Sequence, residues 1–148
     1  MLAKQGKSID ETEPVPLAAC VPQRWETIDT GSATLDIETQ RTIRADENRL
    51  RQLFGNLIRN SVEHGGTEVT VTVGDLDDGF YVADDGPGIP DAERSKVFEP
   101  GHTNTESGTG FGLSIVREIV DAHGWTIRIT ESERGGARFE ITDVPSVS

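Results

Sequence analysis

The sequence predicts an α+β domain in which helices cover one face of a single sheet. Segments typical of strands occur among segments whose apolar residues recur every three to four positions, as in amphipathic helices. The 148 residues suffice for one domain with its own core, and a hydrophobic content of 34% is lean but globular.

The first part of the chain is expected to hold a tail, a short helix and two short strands. Residues 1–16 combine charged residues with two prolines and indicate a tail or linker. The apolar pattern from Leu17 indicates a short helix, and Pro22 should lie in its first turn or break it. Segments 34–37 and 42–45 look like a pair of strands around a turn.

A long helix, two strand pairs and two further helices are expected next. Asp46 is a plausible N-cap for the long helix, and the glycines after His64 are typical of a helix end. The strand pairs comprise 69–73 with 80–83, and 125–130 with 137–141. A short helix over 90–97 and a buried helix over 110–122 lie between the two pairs.

The charge balance excludes several classes of partner. Lys and Arg total 14 against 26 Asp and Glu, a formal net charge of −12. Nucleic acids and anionic membrane surfaces attract basic proteins, so neither is expected as a partner.

The single cysteine, Cys20, cannot form an internal disulfide, which favours a reducing compartment. No apolar run approaches the ~18 residues of a membrane span, so we expect a cytoplasmic domain without membrane insertion.

Two asparagines lie one turn apart on the long helix. Asn56 and Asn60 share one helix face within an otherwise apolar stretch. Asparagine is a mediocre helix former, and its amide oxygen is a hard, neutral ligand of the kind that Mg²⁺ accepts. The pair therefore indicates either a metal site or, taken alone, a polar helix face.

Two glycine-containing segments are candidates for ligand contact. Residues 84–89 follow an expected strand, where glycines let the backbone approach a flat ligand and Asp84 can accept a hydrogen bond from an amine. An ordinary strand-to-turn junction has the same composition. Residues 108–112, Gly-Thr-Gly-Phe-Gly, run into a helix N-terminus that favours phosphate, but they form neither a Walker A sequence nor a dinucleotide fingerprint.

In this order, and together with Phe98, the three motifs resemble the ATP-binding domain of sensor histidine kinases. That family is grouped with the gyrase-type topoisomerases, mismatch-repair ATPases and heat-shock chaperones that share the Bergerat fold. The resemblance covers about residues 17–144. It implies a two-layer α/β sandwich with a mixed sheet of about five strands, covered on one face by about three helices.

The resemblance implies a role for each matching residue. Asp84 matches the acceptor for the exocyclic amine of adenine, with Gly86 and Gly88 shaping the pocket beneath the base. Asn60 matches a Mg²⁺ ligand and Asn56 a partner on the phosphate side, so both are implied as catalytic. Phe98 matches the aromatic anchor of the lid, and residues 101–107 match the lid itself. The glycines that contact the phosphates are matched by Gly108, Gly110 and Gly112, and those before the closing strand by Gly135 and Gly136.

Three features depart from the family's pattern. Glu63 stands where these kinases usually carry Lys or Arg, and residues 102–105 lack the lysine that ends the lid in one subgroup. Arg59 and Lys96 are the candidates to replace the missing cations. Trp125 replaces the second glycine of the usual His-Gly-Gly, which we attribute to packing. Weak nucleotide binding, or binding that depends on Mg²⁺ and salt, is therefore expected.

No histidine of the chain has the context of a phosphoacceptor, which lies on a dimerising helical hairpin and precedes an acidic residue. His64, His102 and His123 precede glycine, threonine and glycine. Residues 1–16 look like the end of that hairpin and its linker, and residues 17–148 like the catalytic domain of a longer sensor kinase. A free-standing protein with a disordered start is the competing interpretation.

The implied function is to bind Mg-ATP and donate the γ-phosphoryl to a histidine on a separate dimerisation domain. A response regulator would act downstream, and the parent kinase would be cytoplasmic or membrane-anchored, with the isolated domain a monomer that binds ATP and ADP. A free-standing Bergerat ATPase or anti-sigma-type serine kinase is the alternative, but these relatives usually carry Glu at the position of Asn56, and an amide cannot act as a base. A degenerate nucleotide-sensing scaffold module is the third candidate.

The acidic composition leads to a prediction about salt. Only three of the 14 cationic residues are lysines, and the carboxylates are scattered. A well-solvated surface accounts for this, but we favour a halophilic source, because salt screens like-charge repulsion. The free energy of unfolding should therefore rise between low salt and about 1 M KCl. Urea denaturation at a series of KCl concentrations measures it, and an unchanged value would count against salt adaptation.

Overall fold

The computed structural model describes residues 12–28, 31–65, 68–86, 88, 113–132 and 135–147, and it confirms the α+β class. The helices are α1 (Leu17–Glu26), α2 (Glu47–Gly65) and α3 (Leu113–His123). The strands are β1 (Glu13–Pro16), β2 (Thr34–Ile37), β3 (Thr42–Ala45), β4 (Thr70–Leu76), β5 (Gly79–Asp84), β6 (Thr126–Glu131), β7 (Ala137–Thr142) and β8 (Ser146–Val147). The helix expected over 90–97 lies outside the described residues. Among the described helices, none has the length and apolarity that a membrane crossing requires.

The main sheet is mixed and has five strands in the order β2-β4-β5-β7-β6. β2 runs parallel to β4, and the other neighbours are antiparallel. β4 and β5 form a hairpin closed at Leu76 and Gly79, which leaves Asp77 and Asp78 as a two-residue turn. Both predicted strand pairs are thereby confirmed, with boundaries shifted by one to three residues.

Alternation along the strands gives the sheet one apolar and one polar face. The apolar face packs against the helices through buried residues of three central strands: Val71, Val73, Phe80, Val82, Phe139 and Ile141. Phe54 of α2 lies against Phe80, with ring centroids 5.4 Å apart. Trp125 meets Phe80 edge-on from the other side at 6.4 Å and is buried, which confirms its expected packing role.

The opposite face of the sheet is polar. The guanidinium groups of Arg128 and Arg138 donate to the two carboxylate oxygens of Glu140 at 2.9 and 2.8 Å. Partial burial raises the pKa of Glu140, but these two hydrogen bonds outweigh it and hold the pKa below its usual value. Arg138 also stacks over the ring of Tyr81, 4.0 Å from its centroid. These polar side chains on this face therefore partner one another.

A second, smaller sheet has the order β1-β3-β8 and was not predicted. β2 and β3 are strands as expected, but the prediction that they pair with each other is wrong. Arg41, in the connection between them, donates to the carbonyls of Leu76 and Gly79 at 2.7 and 2.9 Å. Because these bonds fix the connection to the β4–β5 hairpin, β2 and β3 diverge into different sheets.

Two further expectations are corrected near the start of the chain. Glu13–Pro16, placed in the tail by its prolines, forms β1, and Val15 is buried in the core. The helix α1 continues through Pro22, which is its sixth residue and lies neither in the first turn nor at a break. Pro22 deprives only the carbonyl of Ala18 of a helical partner, and Ala18 is exposed, so water can take that place.

The long helix α2 begins as predicted. The backbone N–H of Arg49 donates to Asp46 Oδ1 at 3.2 Å, and that of Leu50 to the Asp46 carbonyl at 2.9 Å, so Asp46 is the N-cap. The helix ends at Gly65, as the glycines indicated. Its buried face carries Leu50, Leu53, Phe54, Leu57 and Ile58.

His123, the last residue of α3, connects the two long helices. Its Nε2 accepts a hydrogen bond from the backbone N–H of Asp46 at 3.1 Å, and its Nδ1 lies 2.9 Å from the carbonyl of Ile119. The ring stacks on Trp125 at 4.2 Å. These contacts require the neutral ring with a proton on Nδ1. The pKa of His123 is lowered, mainly because the ring is buried. The hydrogen bond to Ile119 and the charge of Asp46 raise the pKa, and the charge of Arg49 lowers it, but burial is the largest effect.

This geometry predicts acid-sensitive folding. A histidine whose pKa is lowered in the folded state contributes stability above its unfolded pKa, and that contribution is lost as the pH falls through about 6.5 towards the folded value. The free energy of unfolding, measured by urea denaturation at constant ionic strength, should therefore decline between about pH 7.5 and 5.5. In His123→Gln, which lacks the titrating ring, the slope should flatten. An equal slope in the variant would assign the effect to other groups.

Candidate functional site

The fold brings two of the three sequence motifs to one end of the interface between α2 and the sheet. Asn56 and Asn60 lie on α2, and Asp84 is the last residue of β5. Ser61, next to Asn60, donates a hydrogen bond from Oγ to Asp84 Oδ2 at 2.9 Å. The asparagine pair and the aspartate therefore border one region.

Asn60 presents an acceptor that has no hydrogen-bond partner among the residues that the structure describes. Its side chain is 4% exposed, and Oδ1 is buried without a hydrogen bond. An unsatisfied buried polar group costs roughly 1–3 kcal/mol, so such an atom is retained where a ligand contacts it. An amide oxygen suits Mg²⁺, which takes oxygen ligands and is usually held jointly by protein and substrate phosphates. The donor present fits the predicted metal ligand.

Asn56 lies one turn earlier and is half-buried. Its Oδ1 accepts a long hydrogen bond, 3.5 Å, from Nη1 of Arg59. Glu63, where the family usually has a cation, is exposed. Arg59 thus holds its positive charge beside Asn56, on the side of α2 that the resemblance assigns to the phosphates.

The carboxylate of Asp84 is buried and held by three donors. Oδ1 accepts from the backbone N–H groups of Gly86 at 3.0 Å and Ala137 at 3.1 Å, while Oδ2 accepts from Ser61. The donors belong to α2, to the turn after β5 and to β7, so three segments fix one carboxylate. An ionised carboxylate has no proton of its own and can accept a further bond from an amine.

Glycines permit the close approach around Asp84. A Cβ on Gly136 would collide with the carbonyl and carboxylate of Asp84. Gly88 has a φ of +82°, and a Cβ there would lie 2.9 Å from the carbonyl oxygen of Gly135. Glycine is needed at both positions, the first for space and the second for its backbone conformation. Gly86 acts through its N–H on Asp84.

Two serines of the site were not identified from the sequence. Ser132 Oγ donates to the carbonyl of Asp84 at 2.7 Å and accepts from the N–H of Gly136 at 2.8 Å, which holds the β6–β7 turn against β5. No local pattern marks Ser132. Ser61 has a signal, because it continues the apolar stripe of α2 four residues after Leu57.

Several predicted residues lie outside the described part of the chain. Their assigned roles stay predictions: Phe98, residues 101–107, Gly108, Gly110 and Gly112, and Lys96 as a replacement cation.

A cavity of about 240 Å³ opens mainly on the polar face of the sheet, and its lining includes Asp36, Thr72, Tyr81 and Arg138. These side chains point away from α2 by strand alternation. Asp84, Asp85 and Ser132 also line this cavity, so it extends from the polar face of the sheet to the edge of the Asp84 site.

Comparisons with known proteins give a consistent result. Residues 45–147 match the family model for histidine kinase-, DNA gyrase B- and HSP90-like ATPases. The sensor histidine kinase ZraS of Salmonella typhi is 36% identical over 109 residues, covering 70% of this chain and 23% of that protein. Sporulation kinase A of Bacillus subtilis is 36% identical over 104 residues, covering 68% and 17%. The chain thus spans less than a quarter of the length of these two relatives.

Solved structures agree with the sequence relatives. The catalytic domain of histidine kinase ThkA superposes with a TM-score of 0.75 at 29% identity, covering 92% of this chain and 96% of that one. The mycobacterial sensor histidine kinase MprB superposes with a TM-score of 0.75 at 25% sequence identity, covering 91% of this chain and 97% of that one. The family model matches more than two-thirds of this chain. The chain therefore belongs to the histidine kinase-, DNA gyrase B- and HSP90-like ATPase family and is homologous to the catalytic domains of sensor histidine kinases.

Proposed function

We propose that this chain is the catalytic domain of a sensor histidine kinase, which binds Mg-ATP and donates its γ-phosphoryl to a histidine on a separate dimerisation domain. Two neighbouring features carry the proposal. Asn60 Oδ1 is buried and unsatisfied, and the next residue of α2, Ser61, donates to the buried carboxylate of Asp84, which two further N–H groups also hold. One is suited to a metal ion and the other to an amine. A similar structure, 27% identical with a TM-score of 0.74, is that of ShkA in complex with AMPPNP.

The nucleotide would lie with its base at Asp84 and its phosphates towards Asn56 and Asn60. Asp84 Oδ2 accepts a hydrogen bond from the exocyclic amine of adenine. Gly86 and Gly88, which have no side chains, let the backbone approach the ring closely. The resemblance assigns contact with the phosphates to the glycines at 108, 110 and 112. Arg59 replaces the cation missing at Glu63.

Asn60 would hold Mg²⁺, with Asn56 one turn away. The metal ion neutralises charge on the phosphates, which is the main requirement of phosphoryl transfer. In the transfer an imidazole nitrogen of the acceptor forms a bond to the γ-phosphorus, the bond from that phosphorus to the bridging oxygen breaks, and ADP leaves. The chain's own residues position the donor and supply no base, because Asn56 is an amide.

The acceptor histidine belongs to another domain. Of the three histidines, His123 has both ring nitrogens engaged, one with Asp46 and one with Ile119, so it cannot act as the nucleophile. We propose that residues 1–16 comprise the end of the dimerisation hairpin of a longer kinase and its linker, with a response regulator downstream. A cytoplasmic location and a monomeric isolated domain complete the proposal.

Asn60→Ala tests the metal site. Calorimetric titration of ATP and ADP in about 1 M KCl, with and without Mg²⁺, should show metal-dependent ATP binding by the wild-type chain. The variant should lose most of that dependence, because the oxygen ligand is gone. Asn48→Ala, the same change at an exposed position near the start of α2, is the control. Retention of the full metal effect in Asn60→Ala would remove the ligand role.

Asp84→Asn tests the base site. The amide can keep the bonds to Gly86 and Ala137 but places an NH₂ group where Oδ2 accepted, so it repels the adenine amine. ATP affinity should fall roughly ten- to a hundredfold, the range for a hydrogen bond to a charged group. Asp36→Asn removes the same charge from an exposed site on the polar sheet face and should leave affinity unchanged. Equal affinities for Asp84→Asn and the wild type would refute the adenine assignment.

Transfer in trans decides between the proposed function and its alternatives. A separately supplied histidine hairpin should be phosphorylated from ATP by this chain. ATP binding without transfer to the cognate hairpin would favour a nucleotide-sensing scaffold. ATP hydrolysis at enzyme-like rates by the isolated chain would favour a Bergerat ATPase.

A further inference from the structure

The hydroxyl of Ser61 meets the Asp84 carboxylate inside the protein. Ser61 is 1% exposed and Asp84 is 7% exposed. Serine within a helix often bonds back to a carbonyl of its own helix. Here the hydroxyl crosses from α2 to β5 and donates to Asp84 Oδ2 at 2.9 Å. The contact therefore serves the tertiary site and links the two elements that border it.

We propose that Ser61 is a positioning residue that makes the Asp84 site selective for purines with an exocyclic amine over 6-oxopurines. The inference rests on the proposed function, since it concerns the base of the nucleotide that Asp84 accepts. It assigns to Ser61 a role in choosing the base, in addition to the role of Asp84 in binding it.

The first argument concerns orientation. The N–H groups of Gly86 and Ala137 both donate to Oδ1, which leaves the direction of Oδ2 to be fixed from elsewhere. Ser61 supplies the third point of attachment, on the second oxygen. With three donors from three segments, the carboxylate plane is held before a ligand arrives, so less conformational freedom is lost on binding.

The second argument concerns protons. A serine hydroxyl carries one proton, and Ser61 commits it to Oδ2. The ionised carboxylate carries none. This part of the wall therefore presents lone pairs only, which match the N–H of a 6-amino group and oppose the carbonyl oxygen of a 6-oxo group. In the absence of the serine hydroxyl, a water molecule beside Oδ2 could turn either to accept from a 6-amino group or to donate to a 6-oxo group.

Affinities for ATP and inosine triphosphate, which differ at position 6 of the purine, test the proposal on the full chain. The wild type should prefer ATP. Ser61→Ala removes the hydroxyl, and Ser61→Cys keeps a similar volume with a much weaker donor. Both variants should narrow the ratio of the two affinities by about tenfold, which corresponds to one hydrogen bond to a charged group. Ser61→Thr retains the hydroxyl and should keep the wild-type ratio of ATP to inosine triphosphate affinity.

Thr39→Val is the matched control. Thr39 is 2% exposed, and its hydroxyl likewise donates to a carboxylate, that of Asp75, away from the Asn60–Asp84 region. Its loss should reduce the free energy of unfolding without changing the ratio. Circular dichroism establishes that each variant is folded; if Ser61→Ala is not, Ser61→Cys carries the test.

The outcomes separate this proposal from the proposed function. If the wild type binds neither nucleotide, both are overturned. If the wild type binds ATP but folded Ser61→Ala and Ser61→Cys keep its ratio, or lose affinity for both nucleotides equally, the role of Ser61 alone is overturned. A narrowed ratio in Thr39→Val would also overturn it, because the effect would then follow from general loss of stability.

Discussion

The carboxylate of Asp84 is the point at which the separate segments of the site are joined. It is buried, and a buried charge is tolerated only when hydrogen bonds satisfy it. Gly86, Ala137 and Ser61 provide those bonds from a turn, a strand and a helix. Because each donor must be in place, the residues that let these segments approach are constrained too, above all Gly136, which has no room for a side chain.

The helix α2 carries the other half of the site and is positioned by its buried face and by its start. Phe54 packs on Phe80 of the sheet, and Asp46 caps the first turn. His123 of α3 accepts the N–H of Asp46. The asparagines at 56 and 60 thus lie on a helix whose backbone is held at its start and against the sheet by contacts within the protein.

The two faces of the sheet have different uses. The face towards the helices supplies the core and ends at Asp84. The other face carries its own polar contacts, with Glu140 bridging two arginines and Arg138 over Tyr81. The cavity on that face has an acidic and hydroxyl-rich lining, whereas the unsatisfied acceptor of the described residues belongs to Asn60. The two faces meet at Asp84, which accepts a hydrogen bond from Ser61 of α2 and also lines the cavity.

Much of this protein was determined by local sequence. The alternation of 69–73, the apolar stripe of α2, the Asp46 cap and the order of the motifs predicted the fold class, most elements and the place of Asn56, Asn60 and Asp84. Those features depend on residues close together in the chain. The long-range contacts were decided only by the tertiary structure. Arg41 holds the connection between β2 and β3 on the β4–β5 hairpin, so that the two strands join different sheets. The carbonyl that Pro22 leaves without a helical partner belongs to the exposed Ala18, and Ser61 and Ser132 reach Asp84 from 23 and 48 residues away. No periodicity records such pairings, because each is set by which atoms need a partner once the core has formed.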